Sequence, residues 1–177
     1  MPQQVVTTQQ IIIIGFMGTG KTTVAHELGR ELNCLAVDLD DLIERREHRS
    51  ASEIIEQDGE GKFRRIESRL LYETLDAARA RIIAVGGGAW TIAANRQLIA
   101  ERGALTVWLD ADFELCWKRI KSGRDMRPLA RSREMAERLY NERRPVYELA
   151  NTRVTVSEGD SAAEVARKVA KEILRQQ

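Results

Sequence analysis

Residues Ile11 to Thr23 read IIIIGFMGTGKTT, and this stretch decides the fold. Four β-branched residues in a row, Ile11 to Ile14, are the pattern of a short strand buried on both faces. Gly15 to Thr22, GFMGTGKT, then matches G-x-x-x-x-G-K-[ST] at every fixed position. An amphipathic helix follows, with Val24, Ala25, Leu28 and Leu32 on one face. Strand, glycine loop and helix in that order are the context a phosphate-binding loop needs. Glycines at 15, 18 and 20 free the backbone so that consecutive N–H groups point inward beside the positive end of the new helix, where an anionic phosphate chain fits. The expected nucleotide-binding residues are Gly18, Thr19, Gly20, Lys21, Thr22 and Thr23. Lys21 reaches the β- and γ-phosphates, and the Thr22 hydroxyl ligates Mg²⁺. The alternative is a glycine-rich turn that holds a lysine by chance. With Gly at about 7% of residues, such a match has odds of roughly one in a hundred.

The 177 residues are enough for one domain with a sizeable core. Apolar residues make up 43% and charged residues 31%, and the net charge is +1, which argues against a general nucleic-acid or membrane-surface binder. Of the 28 basic residues, 22 are arginine, the side chain suited to forked contacts with carboxylate and phosphate. Cys34 and Cys116 are too few for a disulfide framework and read as small core residues of a protein in a reducing compartment. His26 and His48 have no partners at metal-ligand spacing. No run approaches the ~18 apolar residues of a membrane span. The leader MPQQVVTTQQ has neither a charged n-region nor an apolar h-region, so a disordered start over residues 1–10 is expected, with no signal peptide. A cytoplasmic location is the expectation.

Further along, CLAV at Cys34 to Val37 reads as a second strand ending in Asp38-Leu39-Asp40-Asp41, with helix from Leu42 to Arg49. Ser50 and Glu53 form a capping-box pair for a short helix that Gly59 and Gly61 break. A longer helix carries Ile66, Leu70, Leu71, Leu75 and Ala78 on its apolar face. RIIAV at Arg81 to Val85 is a third strand, running into Gly86-Gly87-Gly88. Helix over Thr91 to Arg102, strand over Ala104 to Leu109 and a helix capped by Asp112 follow. Ser122 to Arg133 reads as irregular and Glu134 to Ala150 as helix. A last strand, Arg153 to Val156, precedes a helix capped by Ser161 with Glu164. Strands alternating with helices mean parallel βαβ units and a sheet covered on both faces. Ligands of such sheets sit at the carboxyl ends of the strands.

Three strand ends carry chemistry there: the phosphate loop, DLDD and GGG. The third strand ends without a carboxylate, so the acid on the metal side comes from elsewhere, and Asp38 is best placed for it. Asp38 and Asp40 are two apart and share a face if the segment is extended; a helix N-terminus enriched in acids explains Asp40 and Asp41 equally well. Three consecutive glycines after a buried strand mark a close approach to backbone or merely a tight turn. Between Lys118 and Arg133 stand seven basic residues against one acid, Asp125. They form a solvated loop or a lid that closes over ATP and adds positive charge where the transition state gathers negative charge. GTPase base-reading motifs are absent, and a small-molecule kinase is the economical expectation.

In sequence order, the motifs resemble those of the shikimate kinases. They are GFMGTGKT, Asp38-Leu39-Asp40, DGEGKFRRIE from Asp58 to Glu67, Gly86 to Gly88, Arg127-Pro128-Leu129 and Arg143-Arg144-Pro145-Val146-Tyr147. The resemblance implies an α/β P-loop kinase domain over residues 11–177, like the nucleoside-monophosphate kinases. Its five-stranded parallel sheet has order 2-3-1-4-5, with a substrate-binding segment near 38–67 and a lid near 122–133. It implies a monomer that uses ATP and Mg²⁺ to phosphorylate shikimate. Asp40 takes the ring hydroxyls and Arg64 and Arg143 the carboxylate, with Gly86, Gly87 and Gly88 along the ring. Lys21, Asp40 and Arg127 are the implied catalytic residues, and Thr22 and Asp38 the metal residues. Arg119 and Arg124, with the loop Ser157 to Asp160, are candidates for the nucleotide base. A small anion with three hydroxyls does call for two cationic forks and an acceptor carboxylate. A gluconate-type or nucleoside-monophosphate kinase on the same scaffold is the nearest rival, and a non-catalytic relative the rival from another class.

Overall fold

A computed structural model describes residues 9–123 and 130–176. Its centre is β1 (Ile11–Ile14), whose four side chains are all fully enclosed. Each contributes about 1.5–3 kcal/mol relative to an exposed position. β1 pairs in parallel with β3 (Ile82–Ala84) on one side and with β4 (Leu105–Ala111) on the other. β2 (Ala36–Asp38) extends the sheet beyond β3 and β5 (Thr152–Val156) beyond β4, giving the order β2-β3-β1-β4-β5. The chain thus leaves β1 to one side and later returns across it to the other. All strands are parallel, so their carboxyl ends share one edge, and the crevice of such a sheet opens there.

Helices cover both faces: α1 (Lys21–Glu31), α2 (Leu39–Glu47), α3 (Ala51–Asp58), α4 (Glu60–Ala77), α5 (Gly87–Thr91), α6 (Ala93–Glu101), α7 (Phe113–Ser122), α8 (Arg133–Tyr147) and α9 (Ala162–Arg175). The expected capping boxes are present at α3, from Ser50 and Glu53, and at α9, from Ser161 and Glu164. Asp112 does precede α7, but its side chain makes no capping bond. Gly59 breaks α3 from α4, whereas Gly61 lies inside α4. The expected helix over Thr91 to Arg102 is two, α5 and α6, separated at Ile92, where the backbone is extended. Gly87 and Gly88 belong to the first of them. Cys116 is buried and Cys34 half-buried, and both are free thiols. Gln9 and Gln10 are fastened at the amino edge of the sheet, by bonds to Gly103 O and Ala80 O and by the Leu105 N–H on Gln10 O. The rest of the expected leader, residues 1–8, lies outside the described residues. So does most of the expected lid, residues 124–129.

Among the described residues no helix is long and apolar enough to cross a membrane.

Candidate active site

At the carboxyl end of β1, the chain bends through Gly15 to Gly20 into α1. Gly18 and Gly20 have φ of +83° and +91°, a conformation in which only glycine rests without strain. Gly18 is also pressed on its neighbour: a Cβ there would lie 2.7 Å from Cys116 O. The buried Thr19 hydroxyl and the Lys21 ammonium both donate to Phe16 O, at 2.9 and 3.0 Å. Lys21 is thereby held across the loop, pointing back over its mouth. Burial pushes the Cys116 thiol under the loop up to about 11, so it is an inert packing group.

Thr22 and Asp38 meet. The Thr22 hydroxyl donates to Asp38 Oδ2 at 2.5 Å, while Asp38 Oδ1 accepts the Asp40 N–H at 2.8 Å. Asp38 is the N-cap of α2 and Asp40 lies in its first turn. Of the two readings of D-L-D, the helix N-terminus holds for Asp40 and Asp41 and the extended pair does not: the chain turns helical at Leu39. Helical winding separates the two acids. Asp38 faces Thr22, and Asp40 lines the cavity next to it. A hydroxyl and a carboxylate fit Mg²⁺, which takes oxygen ligands, uses few from the protein and keeps the rest from water and phosphates.

That adjoining cavity, of about 110 Å³, brings together Lys21, Asp40, Arg64, Arg143 and the glycines Gly86 to Gly88. Met17, Ile55 and Phe63 form its apolar wall. Five separate elements meet here: the phosphate loop, α2, α3, α4 and α8, over the floor of α5. The glycine run is required by space, because a Cβ on any of the three would collide with a side chain. At Gly88 it would overlap the Arg64 guanidinium and at Gly87 the Tyr147 hydroxyl; at Gly86 it would stand 2.9 Å from Glu67 Oε1 and 3.6 Å from Asp40 Oδ1. The close approach foreseen for a ligand is thus already made by the protein's own polar groups.

Arg64 is presented by α4 and held by two carboxylates, Glu67 at 2.6 Å and Glu60 at 3.1 Å. Its guanidinium also lies over the Phe63 ring. Arg143, on α8, is 9% exposed. Glu67 is fully buried, and only one of its carboxylate oxygens is bonded; Oε1 has no hydrogen-bond partner among the described residues. Burial raises the Glu67 carboxyl from 4.5 to about 7; Arg64 pulls it down and Asp40 pushes it up. Tyr147 is pushed up to about 12, chiefly by burial, against the pull of Arg143.

Sequence reading assigned no role to Glu67 or Tyr147. For Glu67 a signal existed: it falls on the buried stripe Phe63, Glu67, Leu70, Leu71, Leu75 of α4, where an unexplained carboxylate is conspicuous. Of the apolar face foreseen for α4, Leu70, Leu71 and Leu75 are buried, and Ile66, beside Glu67, is half-buried against the core.

On the other side of the phosphate loop, a second cavity of about 250 Å³ is lined by Thr19, Gly20, Thr23, Arg119, Val156 and Asp160, among others. Arg119 donates to Gly18 O and Thr19 O at 3.1 and 3.3 Å. It stands against the loop, at the border of this second cavity. Arg124 and Arg127 lie outside the described residues. A roomier hollow, about 600 Å³, is at the amino edge near Arg96 and Asn151, and none of the foreseen site residues line it.

Comparison with known proteins accords with this geometry. The family model described as shikimate kinase matches residues 17–174. A shikimate kinase of Ruegeria pomeroyi is 38% identical over 157 residues, covering 87% of this chain and 78% of that protein. One from Cereibacter sphaeroides is 39% identical over 152 residues, covering 84% and 75%. Among solved structures, a shikimate kinase from Acinetobacter baumannii in complex with shikimate superposes with a TM-score of 0.87 at 33% identity, over 96% of this chain and 94% of that one. A gluconokinase from Sinorhizobium meliloti, over 96% of this chain and 98% of its own, gives a TM-score of 0.61 at 16% identity and shares the fold alone. With its phosphate loop beside a cavity of two arginines and one aspartate, and with this match over most of its length, the chain belongs to the shikimate kinase family.

Proposed function

We propose that this protein transfers the γ-phosphoryl group of ATP to the 3-hydroxyl of shikimate. The products are shikimate 3-phosphate and ADP, a step of chorismate and aromatic amino acid biosynthesis. The observation that carries this is the convergence of Asp40, Arg64 and Arg143 on one cavity whose wall includes Lys21 of the phosphate loop. Two guanidinium forks match one carboxylate, Asp40 accepts from ring hydroxyls, and Lys21 marks where the phosphoryl group arrives.

Phosphoryl transfer leaves the protein little covalent work, so positioning and charge carry the rate. The substrate oxygen attacks phosphorus as the bond to the β-phosphate oxygen breaks, with ADP leaving in line. Lys21 neutralises charge on the transferring group, and Arg127, from the lid assigned to residues 122–133, adds to that neutralisation. Asp40 orients the attacking hydroxyl. Whether or not it also takes the proton, a loose transition state asks little of a base. Thr22 and Asp38 would hold Mg²⁺, which would supply positive charge to the phosphate groups. Gly18 to Thr23 cradle the phosphates, and Arg119 and Arg124 flank the base. Segment 38–67 holds the substrate, with Gly86 to Gly88 along the ring. A monomer in the cytoplasm completes the proposal, in keeping with the family resemblance.

The test is ADP release measured with shikimate, gluconate and several nucleoside monophosphates as acceptors. Turnover is expected with shikimate alone. Turnover on gluconate and none on shikimate overturns the proposal.

A further inference from the structure

α5 is only five residues long, yet it carries the floor of the acceptor cavity, and its far end is secured by several independent bonds. Asn95 Nδ2 donates to Ala89 O at 2.9 Å and Arg96 to Trp90 O at 2.7 Å. Trp90, directly after Gly88-Ala89, is buried, and the Arg96 guanidinium lies over its ring. Its indole Nε1 donates to Val146 O at 2.8 Å. Val146 stands in the last turn of α8, one turn beyond Arg143 and directly after Pro145. Proline has no N–H, so the helix ladder lacks one bond in this turn. The segment that presents Arg143 is therefore less secured by its own backbone, and a bond from α5 secures it from outside.

We propose that Trp90 is a positioning residue for the acceptor's carboxylate: its indole N–H ties α8 to α5, which fixes Arg143 in the cavity it lines together with Arg64, Gly87 and Gly88. This rests on the shikimate-phosphorylating function and deepens it. Trp90 does not line the cavity of Arg143; it borders the separate hollow at the amino edge, so it acts only through α8. Tyr147, on the same turn, rests its hydroxyl against Gly87, so a small movement of the turn is felt at once along the floor. A forked guanidinium–carboxylate contact is intolerant of such movement. The cavity on the nucleotide side is lined by the phosphate loop, α1, Arg119, β5 and α9, and no residue of α5 or α8 lines it.

Trp90→Phe keeps an aromatic ring and removes the donor. The expected result is a KM for shikimate raised roughly three- to tenfold, the equivalent of one hydrogen bond, with KM for ATP unchanged. A purely structural role would lower the unfolding midpoint and leave both KM values where they were. Arg143→Lys, which loses the fork, supplies the second leg. If Trp90 acts through Arg143, the double variant loses less than the product of the two single losses. An unchanged KM for shikimate, a parallel rise in KM for ATP, or single losses that simply multiply would each overturn the tie. A parent protein that does not phosphorylate shikimate at all would overturn the function first, and the two failures are distinguishable.

Discussion

Replacing Glu67 by Gln removes a charge from the most enclosed acid of the cavity while keeping its shape. In the folded protein the Glu67 carboxyl titrates near 7, against an ordinary 4.5, because burial outweighs the attraction of Arg64. An acid whose folded pKa lies above its unfolded value holds its proton more tightly when folded. Its contribution is therefore full below the unfolded value and is lost as pH rises through the folded one. The whole difference is about 3 kcal/mol, at about 1.4 kcal/mol per unit. Most of this falls between pH 5 and 8. The amide that replaces the carboxyl in Glu67→Gln does not titrate, and other groups cancel when the two proteins are compared at each pH. Urea unfolding of the parent and of Glu67→Gln at pH 5, 6, 7 and 8 measures it directly. The parent should lose about 2–3 kcal/mol relative to the variant across that range. Equal pH slopes for the two proteins would refute the burial argument and with it the perturbed carboxyl.

Two further substitutions test the two halves of the site. Lys21→Ala should lower kcat by about a hundredfold or more, the usual loss of a preorganised charge on a transferring group, read as ADP release; normal turnover would show the loop misassigned. Gly88→Ala places a methyl group where the Arg64 guanidinium now lies. The end of that long side chain gives way, so the protein should fold, with KM for shikimate raised roughly tenfold or more through a weakened charge-assisted contact and KM for ATP unaffected. Equal affinity for shikimate would mean that Arg64 does not hold the carboxylate.

The nucleotide half of the site could be read almost entirely from consecutive residues. Gly15 to Thr22 form a local structure: strand, turn and helix start are set by neighbours in sequence, and the N–H groups that face a phosphate come from the same few residues. The same locality made the capping boxes of α3 and α9 readable. Glycine spacing, however, said nothing about what crowds Gly86 to Gly88, because Arg64, Glu67 and Tyr147 arrive there from α4 and α8. The D-L-D segment was left open between two readings for a related reason. Periodicity over three residues cannot distinguish the end of a strand from the first turn of a helix, and Asp38 serves as the cap that decides it.

The amino-acid sequence by itself determined the phosphate-loop motif and the alternation of strands and helices, and it singled out Lys21, Thr22, Asp38 and Asp40 as candidates. Those follow from local backbone preference and motif spacing; Arg64 and Arg143 were named through the family resemblance. Only the tertiary structure decided that a carboxylate stands enclosed behind Arg64, that Asp38 and Asp40 part company, and that an indole N–H on α5 holds the turn of Arg143. The physical reason is that burial and cross-element hydrogen bonds depend on which helices the sheet brings together, and contacts between residues 56 apart in the chain leave no periodic mark on either partner.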